Sequence, residues 1–145
     1  MTEVAAPNAY AEQVTRVADA MHWGLVHCPP DAPLSTVAAL MSDERVHCVV
    51  VAEDPSDAKS MWGVISDLDL VAASTVRPLD GQRAGGTAMK PAVTAFPRES
   101  LAAAAERMTR LGVSHLVVVD DVGQRPLGVI STLDIAAVLG ADSPA

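Results

Sequence analysis

The sequence predicts an α/β fold made of two pseudo-symmetric halves, each in the order β-α-β-β-α. The main observation is an internal repeat, because the stretch GVISDLDL at 63–70 returns as GVISTLDI at 128–135. In addition, the segment that begins at Pro33 aligns without a gap on the segment that begins at Ser100. A repeat of this kind indicates two copies of one unit that cannot bury its apolar face alone.

Within each copy the residue periodicity identifies the elements. Apolar residues recur at i, i+3, i+4 and i+7 in both copies, at Leu34, Val37, Ala38 and Met41 and again at Leu101, Ala104, Ala105 and Met108. This spacing predicts one amphipathic helix per copy. The β-branched runs VHCVVVA and SHLVVVD, and the later WGVIS and LGVIS, are typical of short buried strands. A second helix should follow each GVIS, with Ser66 and Ser131 as its N-caps.

The organisation of the chain follows from the repeat. We predict an N-terminal extension at 1–16, a first repeat at 17–74, a linker at 75–82, a second repeat at 83–140 and a tail at 141–145. Three short strands cannot cover two helices, so we expect the repeats to pack through their sheets around a shared interior. The stretch NAYAEQVTRVADAM has helix-forming composition and is expected to cap the pair.

Composition argues against several classes of function. Ten basic and eighteen acidic side chains give a net charge of −8, which repels nucleic acids and anionic membrane surfaces. Aromatic residues make up only 3% of the chain, too few for base-stacking platforms. The apolar runs are far shorter than the roughly 20 residues of a membrane span. With no signal-peptide pattern and two cysteines, we expect a cytoplasmic protein without nucleic-acid or membrane partners.

The paired serines and aspartates have two interpretations. Ser66 with Asp69, and Ser131 with Asp134, match the capping box, in which each side chain satisfies a backbone N–H at the start of a helix. The same residues suit a ribose, because a carboxylate accepts hydrogen bonds from two neighbouring hydroxyls and a helix N-terminus attracts a phosphate. The residues themselves leave both interpretations open.

The whole pattern resembles the tandem CBS domain pair, or Bateman module, from about Val17 to Leu139. The likeness is carried by ADAM and GTAMKPAVTAFP, by the helix and VVV strand of each copy, and by GVISDLDL and GVISTLDI. It implies a non-catalytic regulatory module that binds AMP, ADP, ATP or an S-adenosylmethionine-like ligand between the two CBS repeats. It also implies a homodimer that regulates an unknown protein partner in trans and requires no cofactor.

In that family each cleft is completed by the opposite repeat. The resemblance implies one site in which Ser66 and Asp69 face residues of the second repeat, namely Val93, Thr94, Ser114 and His115. It implies another in which Ser131 and Asp134 face residues of the first repeat, namely Val26, His27, His47 and Cys48. Neither site has an arginine beside the strand, which together with the charge of −8 favours a neutral or singly phosphorylated adenosine compound. A half-buried structural histidine is the other interpretation of His115.

Three competing functions remain. The cluster His22, His27, Cys28, His47 and Cys48 invites zinc, but neighbouring strand residues point to opposite faces, so each His-Cys pair offers one ligand to a given site. We expect no enzyme, because the two GVIS serines lack the glycine of a nucleophile elbow and no phosphate-binding loop is present. The third alternative is a ligand-free dimerisation or scaffolding module whose clefts are filled by its own side chains.

Overall fold

The structure is a computed structural model that describes residues 15–142. The first half contains helix α1 (Val17–Ala20), strands β1 (His22–Trp23) and β2 (His27–Cys28), helix α2 (Leu34–Glu44), strands β3 (Cys48–Ala52) and β4 (Met61–Ser66) and helix α3 (Asp67–Ser74). The second half contains helix α4 (Ala84–Thr87), strand β5 (Thr94–Ala95), helix α5 (Leu101–Leu111), strands β6 (His115–Val119) and β7 (Pro126–Ser131) and helix α6 (Thr132–Asp142). Each half therefore has the predicted order, from β2 to α3 and from β5 to α6.

The two amphipathic helices form where the periodicity predicts them. Helix α2 buries Leu34, Val37 and Met41, and helix α5 buries Leu101, Ala104 and Met108. Helix α5 is capped by Ser100, whose hydroxyl accepts from the Ala103 amide at 3.1 Å. It ends at Gly112, which adopts φ 67°, a left-handed conformation that glycine reaches without a Cβ clash.

The strands form two small sheets that are related by the repeat. One sheet has the order β2-β3-β4 and the other β1-β7-β6-β5. In each, a parallel pair (β2·β3, β5·β6) adjoins an antiparallel pair (β3·β4, β6·β7). The register places Cys48 opposite Ser66 and His115 opposite Ser131. Cys48 and His115 are therefore equivalent positions in the two halves.

The residues that lead into each repeat pair with the other half. Strand β1 runs antiparallel to β7, and Met89 exchanges backbone hydrogen bonds with Val64 of β4 at 2.8 and 3.2 Å. The glycine of each GVIS motif permits this approach. A Cβ on Gly128 would lie 2.0 Å from the His22 carbonyl oxygen, and one on Gly63 would lie 2.3 Å from the Met89 carbonyl oxygen. The repeated glycine therefore allows the segment that leads into each repeat, at 17–23 and at 84–89, to cross to the other half; we call these the lead-in segments.

The crossing is also visible in the core. Val17 and Met21 pack with the second half, whereas Ala84 and Ala88 pack with the first. A third cluster joins the two sheets and consists of Cys48, Val50, Ala52, Val64, Val117 and Val119. The two repeats thus pack through their sheets around a shared interior, which confirms the predicted fold class.

Two sequence predictions fall partly outside this description. Half of the stretch NAYAEQVTRVADAM lies outside residues 15–142, and the half within that range contains the short helix α1. The boundaries predicted for the extension, linker and tail stay predictions. Within residues 15–142, no helix is both long and apolar enough to cross a membrane.

Candidate functional site

The larger of two candidate clefts lies where β4 and α3 of the first half meet α5 and β6 of the second; we call it the first cleft. Its volume is about 420 Å³, which falls within the usual range of about 300–1,000 Å³ for small-molecule sites. Ser66 and Asp69 line it from the first repeat, and Ser114 and His115 line it from the second. The structure therefore brings these four predicted residues together.

Asp69 lies at the start of helix α3, where it takes part in a capping box. The Ser66 hydroxyl accepts from the Asp69 amide at 3.2 Å, and the Asp69 carboxylate oxygen Oδ2 accepts from the Ser66 amide at 2.9 Å. The structural interpretation of this pair is thus confirmed. Among the described residues, the hydrogen bonds to this carboxylate all fall on Oδ2, which leaves Oδ1 available to a ligand.

The opposite wall combines apolar and weakly polar groups. Met89, Val93 and Met108 contribute apolar surface, and among the described residues that line this cleft there is no lysine or arginine. Ser114 Oγ lies 2.9 Å from Nδ1 of His115. Burial lowers the pKa of His115, although Asp67, Asp134 and Asp69 oppose that effect. The first cleft therefore favours a neutral imidazole and offers little positive charge to a polyphosphate.

Thr94 does not line the first cleft. It belongs to the two-residue strand β5, where it is paired with Val117, and its carbonyl accepts from Arg107 at 2.9 Å. Arg107 also forms an ion pair with Glu99 at 2.5 Å, and its guanidinium lowers the pKa of that carboxyl group. The neighbouring Val93 lines the cleft instead, because adjacent residues of a strand point to opposite faces.

The second cleft lies at the pseudo-symmetric place and is much smaller, with a volume of about 110 Å³. Ser131, His47, Cys48 and Val26 line it as the resemblance implies, but Asp134 does not. Arg45 and His115 also line it, so an arginine is present where none was expected. His27 does not line it. It lies in a separate surface groove with the loop residues at 55–56, with Arg125 and with the start of strand β7, since it alternates in direction with Val26.

Asp134 repeats the capping box and makes one further contact. Its Oδ2 accepts from the Ser131 amide at 2.8 Å, and its own amide donates to the Ser131 hydroxyl at 3.1 Å. Its Oδ1 lies 3.1 Å from Nδ1 of His22. Both oxygens of this carboxylate are therefore engaged by the protein itself.

The histidine and cysteine residues of the zinc alternative do not form a metal site in the part of the chain that the structure describes. His47 is paired with Asp67 at 3.0 Å on the surface, and the described residues include no group of three donors placed to hold a metal ion. Both thiols are buried and free. Burial is the main cause that raises the pKa of Cys28 to about 11 and that of Cys48 to about 12.

Met89 in the first cleft and His22 in the second are among the lining residues that were not predicted as site residues. The zinc alternative is the one prediction that includes His22. Each of these two residues lies two positions after a short helix, α1 or α4, and its carbonyl faces the glycine of the opposite GVIS motif. That shared position relative to the repeated glycine is the signal that could have identified them.

Solved structures share this architecture. The crystal structure of the CBS domain pair of protein MJ0100, in complex with 5-methylthioadenosine and S-adenosyl-L-methionine, aligns with a TM-score of 0.78 and 18% identity, over 90% of this chain and 99% of that one. A CBS-domain containing protein from Agrobacterium tumefaciens aligns with a TM-score of 0.74 and 23% identity, over 87% of this chain and 94% of that one. At these identities the likeness shows the fold.

A curated relative is the homoserine O-acetyltransferase of Methanococcoides burtonii, which is 32% identical over 127 residues. The match covers 87% of this chain but spans only 24% of the length of that protein. The family model described as CBS domain matches twice, at residues 17–75 and at residues 86–141. These two matches cover most of the chain and coincide with the two structural halves, so the chain belongs to the CBS domain family.

Proposed function

We propose that this chain is a cytoplasmic, non-catalytic regulatory module that binds one adenosine-containing ligand in the first cleft and regulates a partner protein in trans. The observation that carries the proposal is the pairing of an open 420 Å³ cavity with the available Oδ1 of Asp69 at the start of helix α3. A carboxylate in that position suits the two neighbouring hydroxyls of a ribose, because each can donate a hydrogen bond to it.

The other lining residues suit the rest of an adenosine compound. Met89, Val93 and Met108 offer an apolar surface for the base or for a thioether, since methionine sulfur makes favourable contacts with aromatic rings. Ser114 and His115 offer polar atoms from the opposite repeat. The ligand would thus contact both halves of the chain.

The charge of the first cleft favours a ligand without a polyphosphate. His115 is the sole basic group among its described lining residues, and burial lowers the pKa of that imidazole. The net charge of −8 acts in the same direction, because it repels anions. We therefore rank 5-methylthioadenosine, S-adenosylmethionine and AMP above ADP and ATP. The two ligands in the MJ0100 structure support this ranking.

Regulation would depend on the relative placement of the two halves. A ligand that touches Asp69 on one repeat and His115 on the other binds best when the repeats hold one arrangement. It can shift a conformational equilibrium only by the difference in its affinity for the two arrangements. The partner would then recognise the favoured arrangement.

Helices α3 and α6 offer a surface for a homodimer. Leu68 on α3 and Leu133 on α6 are 73% and 65% exposed, and Val71 and Leu139 are also exposed. Large exposed apolar side chains on these two helices favour association, and a two-fold dimer would cover equivalent surfaces on both chains.

Thermal shift and calorimetry test the proposal directly. A ligand at a hundredfold excess over its dissociation constant should stabilise the chain by about 3 kcal/mol. We expect this for at least one of 5-methylthioadenosine, S-adenosylmethionine and AMP, with ATP weaker. If none of these compounds changes the melting temperature or gives a binding isotherm, the ligand role is wrong.

The second candidate is a ligand-free dimerisation module. The observation in its favour is that both motif aspartates already serve as helix caps while the α3 and α6 surface remains exposed. Such a module would dimerise but ignore every ligand of the panel. The same calorimetric experiment, combined with sedimentation analysis, therefore separates the two candidates.

A further inference from the structure

The two clefts differ in the residue that lies two positions after each of the short helices α1 and α4. The His22 carbonyl faces Gly128 in the same way as the Met89 carbonyl faces Gly63, so these two residues occupy equivalent places. Met89 lines the first cleft and His22 lines the second. Where the first cleft has an apolar side chain, the second has an imidazole.

That imidazole contacts Asp134, which the resemblance assigns to the second cleft but which is not among the residues that line it. Nδ1 of His22 lies 3.1 Å from Oδ1 of Asp134, and the Ser131 amide occupies Oδ2. Asp69 has the same capping bond, but the described residues add no second contact to its carboxylate. The side chain of Asp134 is only 10% exposed, whereas that of His22 is 78% exposed. The contact to Asp134 is thus made by a side chain that lies largely in solvent and can move away.

The cleft that His22 lines is also the smaller of the two. The first cleft measures about 420 Å³ and the second about 110 Å³, and a volume near 300 Å³ is about the least that a small-molecule site usually has. A ribose at the second cleft would need the oxygen that His22 contacts and the space that His22 helps to enclose. The second cleft is therefore smaller than such a ligand needs, and His22 is one of the residues that narrow it.

We infer that His22 determines the ligand stoichiometry of this chain. Its imidazole occupies the sugar-binding place at Asp134, so that one adenosine-containing ligand binds per chain, in the first cleft. Removal of the imidazole opens the second cleft to the same class of ligand. This inference rests on the proposed function for the chemistry that the clefts recognise.

Calorimetry and native mass spectrometry with 5-methylthioadenosine test the inference. We expect one ligand per chain for the parent protein and two for His22→Ala. His27→Ala is the matched control, because His27 is also an exposed histidine of the first half but lines neither cleft, and it should bind one. His22→Met, which installs the residue of the equivalent place, should also bind two. The pairing of β1 with β7 uses backbone groups, so these variants should fold.

The outcomes separate the inference from the proposed function. Two ligands on the parent, or one on both His22 variants, would overturn the inference alone. No binding by the parent, the control and the His22 variants alike would overturn the proposed function and the inference with it. A second experiment needs no ligand and measures the NMR resonances of the His22 imidazole nitrogens. These resonances should shift in Asp134→Ala and stay unchanged in Asp69→Ala. Equal spectra in all three proteins would contradict the contact on which the inference depends.

Discussion

Replacement of Asp69 by alanine separates the structural role of this residue from its proposed binding role. The structural loss is the hydrogen bond from the Ser66 amide to Oδ2, which is 2.9 Å long. Loss of a helix cap costs about 1 kcal/mol. The binding loss is larger, because a hydrogen bond to a charged group contributes about 1.5–3 kcal/mol and a ribose offers two hydroxyls.

Asp134→Ala is the matched control for this experiment. Its capping box has nearly the same geometry, with a bond of 2.8 Å from the Ser131 amide, so each variant loses one helix cap, and Asp134→Ala also loses the contact to His22. Taking about 3 kcal/mol for the two hydroxyl contacts together, Asp69→Ala should weaken the binding of 5-methylthioadenosine on the order of 100-fold, at 1.4 kcal/mol for each tenfold. Asp134→Ala should leave the affinity of the first cleft within about twofold, on the same scale.

The assay combines isothermal titration calorimetry with urea unfolding of the same three samples. Urea unfolding reports the lost cap in both variants, and calorimetry reports the lost ribose contacts in one. The reasoning fails if Asp69→Ala binds with the affinity of the parent. It also fails if the two variants lose affinity equally, because the loss would then come from the capping boxes rather than from the ribose.

Three further predictions concern assembly, packing and pH. Leu68→Lys should shift the chain from dimer to monomer in sedimentation equilibrium, because it places a charge on the exposed α3 and α6 surface; a dimer of unchanged stability contradicts this. Gly128→Ala should destabilise the fold by about 2 kcal/mol or more, as overpacking does, because its Cβ would lie 2.0 Å from a carbonyl oxygen. Gly140 lies within helix α6 and has open space around it, so Gly140→Ala should instead stabilise the fold by about 0.5–1 kcal/mol. Urea unfolding measures the stability of both glycine variants, and equal effects would refute the steric argument. The pKa of His115 is lowered in the folded state, chiefly by burial, so stability should be full above the ordinary histidine value of 6.5 and decline as pH falls below it. His115→Gln should flatten that decline in pH-dependent unfolding, and an unchanged slope would contradict the assignment.

Much of the fold follows from local patterns in the sequence. Helices α2 and α5 could be predicted because their apolar residues repeat with the period of a helix, and β3 and β6 because β-branched residues run continuously. The caps at Ser66 and Ser131 could be predicted from the spacing of serine and aspartate. In each case the determining interactions lie within a few residues of one another, where sequence patterns are informative.

The crossing of the lead-in segments could not be derived from such patterns. Strand β1 contains two residues, and the second crossing is the single bridge between Met89 and Val64. These are too few residues to display a period, and their partners lie in the other half of the chain. A glycine is needed at 63 and at 128 because the backbone of the other half passes close to each of them, and this approach is visible only in the structure. The contact of His22 with Asp134 could not be predicted from the similarity between the halves either. The residue equivalent to His22 is Met89, which has no group that pairs with a carboxylate.

The sequence also does not show which of two adjacent residues at a strand faces a cleft. The resemblance implied Val93 with Thr94 and Val26 with His27, and of each pair only the valine lines a cleft. A shift of one residue along a strand moves a side chain to the other face. The direction of such side chains depends on register, which tertiary pairing decides.

A crystal structure of the chain grown with saturating 5-methylthioadenosine tests the central claim most directly. The account predicts one ligand per chain in the first cleft, with its ribose hydroxyls within hydrogen-bond distance of Asp69 and with His22 still beside Asp134. A first cleft that stays empty at saturation would contradict it. A ligand bound without contact to Asp69 would contradict it equally.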